Sequence, residues 1–322
     1  MKKLNWGILG LGQIANEFAE TFSVENALLY AAGSRNDEKA ATFAKKYGIE
    51  KSYGSYDALL ADSSIDVVYI ATPHSYHAEL ILKSLAAGKH VLSEKAITMN
   101  NDQLTQAMEL AEEKKLVLAE AMVIYHMPLY HKLKEIAQEG SLGKLKMIQV
   151  SFGSLKEEDP TNRFFNKNLA GGALLDIGIY ALSFTRFFLT SQPQEIHTTM
   201  NFYETGVDEQ SGILLKNDHD ELATISLTFR AKMPKLGIVA FENGFFTVND
   251  FPRAERATLT HSDGTVETIE AGDTKQAMNY EIADITNLIL SNQPDPSLPL
   301  THDVMEIMDT LRTKWDLKYD FE

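Results

Sequence analysis

The sequence predicts two main domains, an α/β domain built on a parallel sheet and an α+β domain built on a largely antiparallel one. A chain of 322 residues is long enough for two domains. Over residues 1–121, apolar runs alternate with helical segments, which is typical of a parallel sheet covered on both faces. After about Met122, strand-like runs separated by turn residues predominate, which indicates antiparallel strands.

The first domain is predicted from five apolar runs and the helical segments between them. Ile14, Phe18 and Phe22 recur at helical spacing in the first segment, and the second segment closes on Gly48, a typical C-cap. The predicted strands are 4–11, 27–34, 66–73, 89–95 and 116–122, and the predicted helices are 14–24, 37–48, 57–65, 76–88 and 100–115.

The second domain is assigned to residues 122–300, and a C-terminal helix within 301–322 is predicted to pack back on the first domain. In the second domain, a single helix within 169–189 is predicted to interrupt the strands. Two helical segments, 275–292 and 300–317, close the chain around a Pro-rich linker. The strand-like runs are 144–155, 195–204, 210–217, 222–230, 235–250, 256–263 and 265–271.

Composition excludes several classes of function. The formal net charge of −15 disfavours nucleic acid and anionic membranes as the main partners, because phosphate binding needs surplus Lys and Arg. The sequence has no cysteine, which excludes disulfides and thiolate chemistry. The N-terminal apolar run is short and lacks a cleavage site, and no run has the length of a membrane span. We therefore expect a cytoplasmic protein.

A glycine-rich turn follows the first strand. Gly10 and Gly12, with Ala15 three residues on, match the pattern G-x-G-x-x-G/A of a dinucleotide-binding loop. Gly10 permits the tight turn, Gly12 lets a pyrophosphate approach, and Ala15 allows close helix–strand packing. Gln13 and Ile14 then open the helix whose N–H groups bind the phosphates. The alternative is a plain β–α turn, which the repeated β–α units disfavour.

The end of the second strand indicates the cofactor. An NAD-binding loop usually places an acid here for the ribose 2′-hydroxyl, whereas this chain has Ser34, Arg35 and Asn36. A serine hydroxyl and a guanidinium both suit a 2′-phosphate, so NADP(H) is favoured. Asp37, expected with Glu38 at the start of the next helix, keeps NAD(H) possible. The alternative for Arg35 is a solvated turn residue.

Four further segments carry a resemblance to a known family. They are "ATPHSYHAE" at 71–79, "EKA" at 94–96, "AEAM" at 119–122 and "GGALLDIGIY" at 171–180. With the glycine loop, they make the chain similar to the Gfo/Idh/MocA oxidoreductases along nearly its whole length. The likeness is greatest to the dihydrodiol dehydrogenase and NADP xylose dehydrogenase branch. It implies a Rossmann domain and an α+β domain with an open, mainly antiparallel sheet, with the substrate between them.

The resemblance also implies a set of site residues. Lys95 corresponds to the catalytic lysine of an E-K-P-type motif, Asp176 lines the substrate site, and Tyr180 takes the place where many relatives have His. The residues implied to lie along the nicotinamide nucleotide are Thr72, Pro73, His74, His77 and Glu94, together with Lys95 itself.

The residue types suit alcohol oxidation. Lys95 can stabilise alkoxide character on the substrate oxygen, and Tyr180 can transfer the proton because a nearby cation favours phenolate. Asp176 and Tyr180 are four residues apart and share a face if the segment is helical, with Gly178 between them to admit the substrate. The alternatives are a salt-bridged Asp176 and a half-buried core Tyr180.

Several positions depart from the family pattern. Ala96 replaces the usual proline after Lys95, and Tyr125 stands where many relatives carry Arg. Arg163 is a weaker candidate for a sugar contact, with surface solvation as its alternative. His74 and His77 are three apart, but Thr72-Pro73 before them indicates a loop rather than a metal-binding helix, so no metal is expected.

The predicted function is NADP(H)-dependent hydride transfer to or from a sugar, polyol or vicinal diol. One alternative is a non-catalytic nucleotide-binding sensor, and another is a hydrolase or isomerase that uses the nicotinamide transiently. A homodimer or homotetramer is expected, because the second-domain sheet, with apolar runs at 225–229 and 237–241, needs a cover.

Overall fold

The computed structural model describes residues 3–319, which form two compact units. Of the described residues, the first unit contains 3–121 together with Lys275–Leu298. The second contains Met122–Thr274 and 299–319. The chain therefore leaves the first unit, builds most of the second and returns before its final helix.

The first unit is a six-stranded parallel sheet with the strand order β3-β2-β1-β4-β5-β6. Its strands are β1 (Leu4–Leu9), β2 (Ala27–Gly33), β3 (Lys51–Tyr53), β4 (Val67–Ile70), β5 (His90–Glu94) and β6 (Leu118–Ala121). Its helices are α1 (Gln13–Thr21), α2 (Asp37–Tyr47), α3 (Tyr56–Leu60), α4 (His77–Ala86), α5 (Asn101–Lys114) and α8 (Ala277–Ser291). The predicted parallel α/β domain is confirmed.

Local signals explain where these helices begin and end. Asn36, Ser55 and Asn100 cap α2, α3 and α5 by accepting from backbone N–H groups in the first turn. Gly48 ends α2 in the left-handed conformation with φ +66°, as the sequence predicted. Asp37 and Glu38 lie in the first turn of α2, where the helix dipole favours negative charge.

The second unit is an eight-stranded sheet with the order β14-β13-β12-β11-β7-β10-β9-β8, antiparallel except for the β7–β10 pair. Its strands are β7 (Leu145–Gly153), β8 (Glu195–Phe202), β9 (Asp208–Lys216), β10 (Leu222–Thr228), β11 (Leu236–Phe241), β12 (Gly244–Asn249), β13 (Arg256–His261) and β14 (Val266–Glu270). Its helices are α6 (Pro128–Gln138), α7 (Ile179–Phe188) and α9 (Leu298–Trp315).

Helix α6 was not predicted, because only one helix was expected in this domain before the C-terminal pair. Pro128 occupies the start of α6, and Leu129, Tyr130 and Leu133 form its buried face. The predicted helix within 169–189 is present, but its first turn, Leu174–Gly178, is π-helical. Such turns are rare and frequently occur at functional sites.

The two C-terminal helices belong to different units. Helix α8 joins the first unit, where Met278, Ile282 and Ile285 are buried in the same apolar cluster as Trp6 and Phe18. Helix α9 groups with the second unit, and its predicted packing on the first domain stays a prediction. Both helices have an apolar face, and such a face does not by itself specify which sheet it covers.

Contacts within the second unit hold α9. Asp303 accepts from the Arg186 guanidinium at 2.7 and 2.8 Å, and Trp315 donates its indole N–H to Thr198 at 3.2 Å. The predicted boundary at residue 301 is close to the start of α9 at Leu298.

The apolar residues that suggested an uncovered sheet face lie mostly in the core. Ile225 and Val239 are buried, whereas their strand neighbours Thr224 and Ile238 are partly exposed. Alternation along each strand places successive side chains on opposite faces. The exposed large apolar residues on this sheet include Phe202, Leu214, Phe245 and Val266. Among residues 3–319, no helix is both long and apolar enough to span a membrane.

Candidate active site

The glycine loop joins β1 to α1 at the carboxyl edge of the first sheet. Gly10 has φ +92°, and a Cβ there would lie 2.8 Å from Thr72 Cγ2 and 2.9 Å from the Ala71 carbonyl. Glycine is thus required at position 10 by conformation and by space. Ala15 is fully buried, as its predicted helix-packing role needs.

The second glycine of the loop faces open space. A Cβ on Gly12 would meet nothing within 4 Å, and Gly12 precedes a first turn of α1 that contains no acidic residue. No side chain caps this helix by a hydrogen bond, so Gln13 and Ile14 begin it with N–H groups oriented for an anion. Nearby, Thr72 Oγ1 is buried without a hydrogen-bond partner among the described residues. These features fit the pyrophosphate of a dinucleotide.

The end of β2 presents a cation beside an aromatic ring. Arg35 is exposed, and its guanidinium carbon lies 5.3 Å from the centre of the Tyr76 ring. Ser34 is buried, and its Oγ accepts from the Asn36 N–H at 3.3 Å. Asn36 uses its side-chain oxygen to accept from the Lys39 N–H at 2.8 Å. Arg35 is therefore the residue of the predicted trio that is best placed to bind a phosphate.

Asp37, which kept NAD(H) possible in the sequence, points toward the loop after β3. A Cβ on Gly54 would lie 1.7 Å from Asp37 Oδ1, so the carboxylate rests against the Gly54 backbone. The absence of a side chain at Gly54 makes room for this carboxylate.

A cavity of about 360 Å³ adjoins Arg35. Tyr56 and Tyr76 contribute aromatic walls, and Lys83 supplies a second cation that is held by Glu79 at 2.9 Å. Burial raises the pKa of Tyr56, and the nearby Arg35 charge partly opposes that rise. Sequence reasoning missed both tyrosines, although a tyrosine between two candidate cofactor histidines was a usable signal for Tyr76.

His77 links two loops of the cofactor edge. Its Nδ1 lies 2.8 Å from the Ala96 carbonyl and its Nε2 lies 2.8 Å from the Thr72 carbonyl. The side chain is fully buried, and this burial lowers its pKa, so the ring is neutral at pH 7. The resemblance assigned His77 a place along the nucleotide. In the structure its role is to hold the β4–α4 loop against the segment after Lys95.

His74 and Pro73 extend the same loop. His74 Nε2 lies 3.1 Å from the Lys95 carbonyl, and Pro73 precedes the short 3₁₀ turn His74–Tyr76 in an extended conformation. The two histidine rings are thus oriented toward backbone carbonyls, an arrangement that fixes the loop. Neither contact resembles metal ligation.

Lys95 directly follows β5, and its neighbours are tied to the sheet. Glu94 accepts a short hydrogen bond from the Tyr69 hydroxyl, and Tyr69 in turn stacks on Phe18 with ring centres 3.9 Å apart. The Lys95–Ala96 peptide bond is cis. The buried Glu120 accepts from the Ile97 N–H at 3.0 Å. The contacts of Tyr69 and Glu120 with this segment were not predicted from the sequence.

Asp176 lies in the π-helical turn before α7. It is buried, and its Oδ1 lies 3.5 Å from the Arg163 guanidinium, which also covers the Phe164 ring at 4.2 Å. The salt bridge that the alternative for Asp176 expects is present, and a place for Asp176 in the substrate site stays a prediction. Arg163 is largely exposed, so solvent reaches the pair from the Arg163 side.

Tyr180 is half-buried on α7, with its ring 6.3 Å from that of Phe152. The expected role of Gly178 is not supported. A Cβ on Gly178 would lie 2.8 Å from Leu227 Cδ1 and 3.0 Å from Leu174 Cδ1, so glycine allows this turn to pack on β10 rather than to admit a substrate. Tyr125, at the position of a family arginine, is buried with its ring 6.2 Å from that of Phe187.

One group of metal-capable side chains occurs within the described part of the chain. His302, Asp303 and Glu306 offer ligand atoms within 4.8 Å of one another on α9. Asp303 is already paired with Arg186, so this group is explained by the packing of α9.

Comparison with known proteins identifies the family. A model described as "Oxidoreductase family, NAD-binding Rossmann fold" matches residues 4–122, and the "GFO/IDH/MocA C-terminal domain" matches residues 130–272. The chain belongs to the Gfo/Idh/MocA oxidoreductase family. The resemblance drawn from the motifs is thereby confirmed, and the glycine loop is that of a nicotinamide dinucleotide-binding domain.

Relatives of the chain include enzymes whose names state a diol or a sugar substrate. The chain is 32% identical to trans-1,2-dihydrobenzene-1,2-diol dehydrogenase of Xenopus laevis over 85% of its length and 83% of that protein. It is 33% identical to D-xylose 1-dehydrogenase (NADP⁺) of Hypocrea jecorina over 71% of its length and 66% of that protein. A 3-ketoreductase from Actinomadura kijaniata, solved with NADP and TDP-benzene, shares the fold with a TM-score of 0.86, 23% identity and coverage of 97% and 98%.

Proposed function

We propose that the protein is an NADP(H)-dependent dehydrogenase or reductase acting on a sugar, a polyol or a vicinal diol. The observation that carries the proposal is the cofactor edge of the first sheet. There Gly10, Thr72 and Lys95 follow the adjacent strands β1, β4 and β5, and ligands of open parallel sheets bind at this edge. The two enzyme relatives support the substrate class.

The preference for NADP(H) rests on Arg35. Its guanidinium is exposed at the end of β2 and stacked near Tyr76, beside the cavity of about 360 Å³. A planar guanidinium binds a 2′-phosphate through two N–H groups and also lies well against an adenine ring. Asp37, the acid that could bond a ribose hydroxyl, is directed toward Gly54.

Binding measurements test this preference. Arg35→Ala should weaken NADP⁺ binding at least tenfold, on the order of the loss of one charge-assisted pair, and leave NAD⁺ binding nearly unchanged. Arg35→Lys is the matched control, which keeps the charge but not the planar fork. Equal losses of affinity for both nucleotides would contradict the assignment of the 2′-phosphate to Arg35.

The proposed chemistry uses three residues of the chain. The bound nicotinamide supplies or accepts the hydride. Lys95 hydrogen-bonds the reacting oxygen and stabilises its negative charge, while Tyr180 transfers the hydroxyl proton. Asp176 orients the substrate by accepting hydrogen bonds from the hydroxyl groups of the substrate. Glu94, held by Tyr69, fixes the backbone that presents Lys95.

A substrate screen tests the function itself. Absorbance at 340 nm should show NADP⁺ reduction with at least one pentose, hexose or cyclic vicinal diol. Lys95→Ala should then lower kcat while the dissociation constant for NADP⁺ stays unchanged, because Lys95 acts on the transition state. Tight NADP⁺ binding with no turnover on a broad panel would instead favour a nucleotide-sensing protein. Product formed without net change in NADPH would favour an isomerase or hydrolase.

We also propose that the protein self-associates as a homodimer or homotetramer through the outer face of the eight-stranded sheet. Phe202, Leu214 and Phe245 supply exposed apolar surface on β8, β9 and β12. Leu214→Glu combined with Phe245→Glu should lower the mass measured by light scattering. An unchanged mass would exclude this face as the interface.

A cytoplasmic location follows as a proposal from the cofactor, because nicotinamide nucleotide pools lie inside cells. Cell fractionation that placed the protein outside the cytoplasm would contradict it.

A further inference from the structure

A buried carboxylate lies under the turn that carries Asp176. Asp208 is the first residue of β9 and is fully buried. Its Oδ2 accepts from the Leu174 N–H at 2.7 Å. Leu174 begins the π-helical turn Leu174–Gly178, which contains Asp176 and leads into the helix that carries Tyr180.

The backbone before the turn is shaped to receive this carboxylate. Gly172 has φ +126°, and a Cβ there would lie 2.3 Å from Asp208 Oδ1. Tyr319 closes the same site, since its hydroxyl donates to the Gly171 carbonyl at 2.6 Å. Any larger residue at position 172 would displace the carboxylate. The positions of Gly171, Gly172 and Asp208 therefore depend on one another.

The negative charge of the Asp208 carboxylate is only partly compensated by its neighbours. Asp208 Oδ1 has no hydrogen-bond partner among the described residues. The charged group facing it is Arg312 of α9, which favours the ionised carboxylate and lies 3.9 Å from Asp309 on its own helix. The neighbouring Tyr319 is a further titratable group, and its ring lies under the Arg312 guanidinium at 5.0 Å.

We propose that Asp208 is a positioning residue of the reaction, whose ionised carboxylate fixes the turn Leu174–Gly178 and thereby the orientation of Asp176 and Tyr180. Its effect on turnover rests on the proposed function. Its effect on the turn does not. A charged acceptor binds a backbone N–H about twice as strongly as a neutral one, so protonation of Asp208 loosens the turn.

This role gives a specific pH dependence. Burial raises the pKa of Asp208 to about 6, with the Leu174 N–H and Arg312 acting in the opposite direction. Turnover should therefore fall as the pH drops through about 6.

Asp208→Asn tests the proposal because it keeps the shape and removes the charge. We expect the variant's kcat/KM at pH 8 to be about fivefold lower than that of the wild type, the difference between a charged and a neutral hydrogen bond. We also expect its pH profile to be flat between pH 5 and 8. A variant that retains the wild-type acid limb would overturn the proposal. If Asp208 had only a structural role, Asp208→Asn would lower the fraction of active protein and leave the acid limb of the pH profile in place.

Arg312→Gln supplies a second test in a protein that keeps Asp208. Because the guanidinium favours the ionised carboxylate, its loss should move the acid limb to higher pH. Movement to lower pH, or none, would contradict the assignment. This variant also decides the matter if Asp208→Asn fails to fold.

Amide hydrogen exchange separates this inference from the proposed function. Exchange in Leu174–Gly178, corrected for intrinsic rates, should be faster in Asp208→Asn than in the wild type at pH 8. Asp159→Asn, a change at a partly exposed carboxylate, is the control and should leave this segment unchanged. Equal protection in all three proteins would refute the positioning role. If the screen finds no substrate, the proposed function fails while this measurement still stands.

Discussion

The free energy of unfolding of the second unit should depend on pH through the titration of Asp208. Asp208→Asn should abolish this part of the pH dependence. The folded-state pKa of Asp208 is raised from 3.8 to about 6, so the native protein keeps a proton that the unfolded chain releases. Stability is then greatest below pH 4 with respect to this group and falls as the pH rises toward 6. Above that pH both states are ionised and the loss is complete.

The size of the effect follows from the shift. One pKa unit corresponds to about 1.36 kcal/mol, so a rise of roughly two units makes ionised Asp208 cost on the order of 3 kcal/mol of stability. The free energy of unfolding of Asp208→Asn, minus that of the wild type, should therefore increase by about 3 kcal/mol between pH 4 and pH 7. Taking this difference cancels the titration of other carboxylates.

Urea unfolding followed by tryptophan fluorescence measures this difference. The chain has two tryptophans, Trp6 in the first unit and Trp315 in the second. A Trp6→Phe background makes the signal report on the second unit, and Asp159→Asn serves as a control at a partly exposed carboxylate. A difference that stays constant from pH 4 to pH 7 would show that Asp208 is not buried as an ionised group, and the reasoning would fail.

Three further predictions concern the cofactor loops and the π-helical turn. Tyr76→Leu should weaken NADP⁺ binding by about fivefold and leave NAD⁺ binding unchanged, because a cation–π contact of about 1 kcal/mol holds Arg35 in place; Tyr76→Phe should behave as wild type. Gly12→Val should abolish binding of both nucleotides and leave the melting temperature unchanged, because a side chain at position 12 meets no other protein atom. Gly10→Val should lower the melting temperature, because a side chain at position 10 collides with Ala71 and Thr72. Equal melting temperatures of the two variants would contradict this difference in available space. Gly178→Ala should destabilise the protein by about 1–3 kcal/mol through overpacking, measured by urea unfolding, and a neutral result would mean that the turn can move away from β10.

Local signals in the sequence were sufficient for most of the first sheet. The alternating runs, the Asn100 cap and the Gly48 C-cap identify helices and strands because each depends on neighbours within a few residues. The glycine loop is recognisable from its own residues, and Gly10 is required by its φ, although the lack of space there comes from the distant Ala71 and Thr72. Helix α6 was missed although its buried residues Leu129, Tyr130 and Leu133 lie on one face.

Long-range partners could not be predicted in the same way. His77 acts through carbonyls 5 and 19 residues away, and Gly178 is required by Leu227 of a distant strand. Asp208 stands in a strand that shows no local sign of its contact with Leu174. In each case the residue type was visible, but the group that it touches depends on how the elements pack.

The placement of α8 has a consequence for synthesis on the ribosome. The apolar cluster around Trp6 and Phe18 includes Met278, Ile282 and Ile285, which are translated more than 150 residues after β6. At about 5–20 residues per second, the nascent first unit waits roughly 8 to 30 seconds for its last helix. During that interval its β1–α1 surface exposes aromatic side chains, so this is the period in which the growing chain most needs protection by a chaperone.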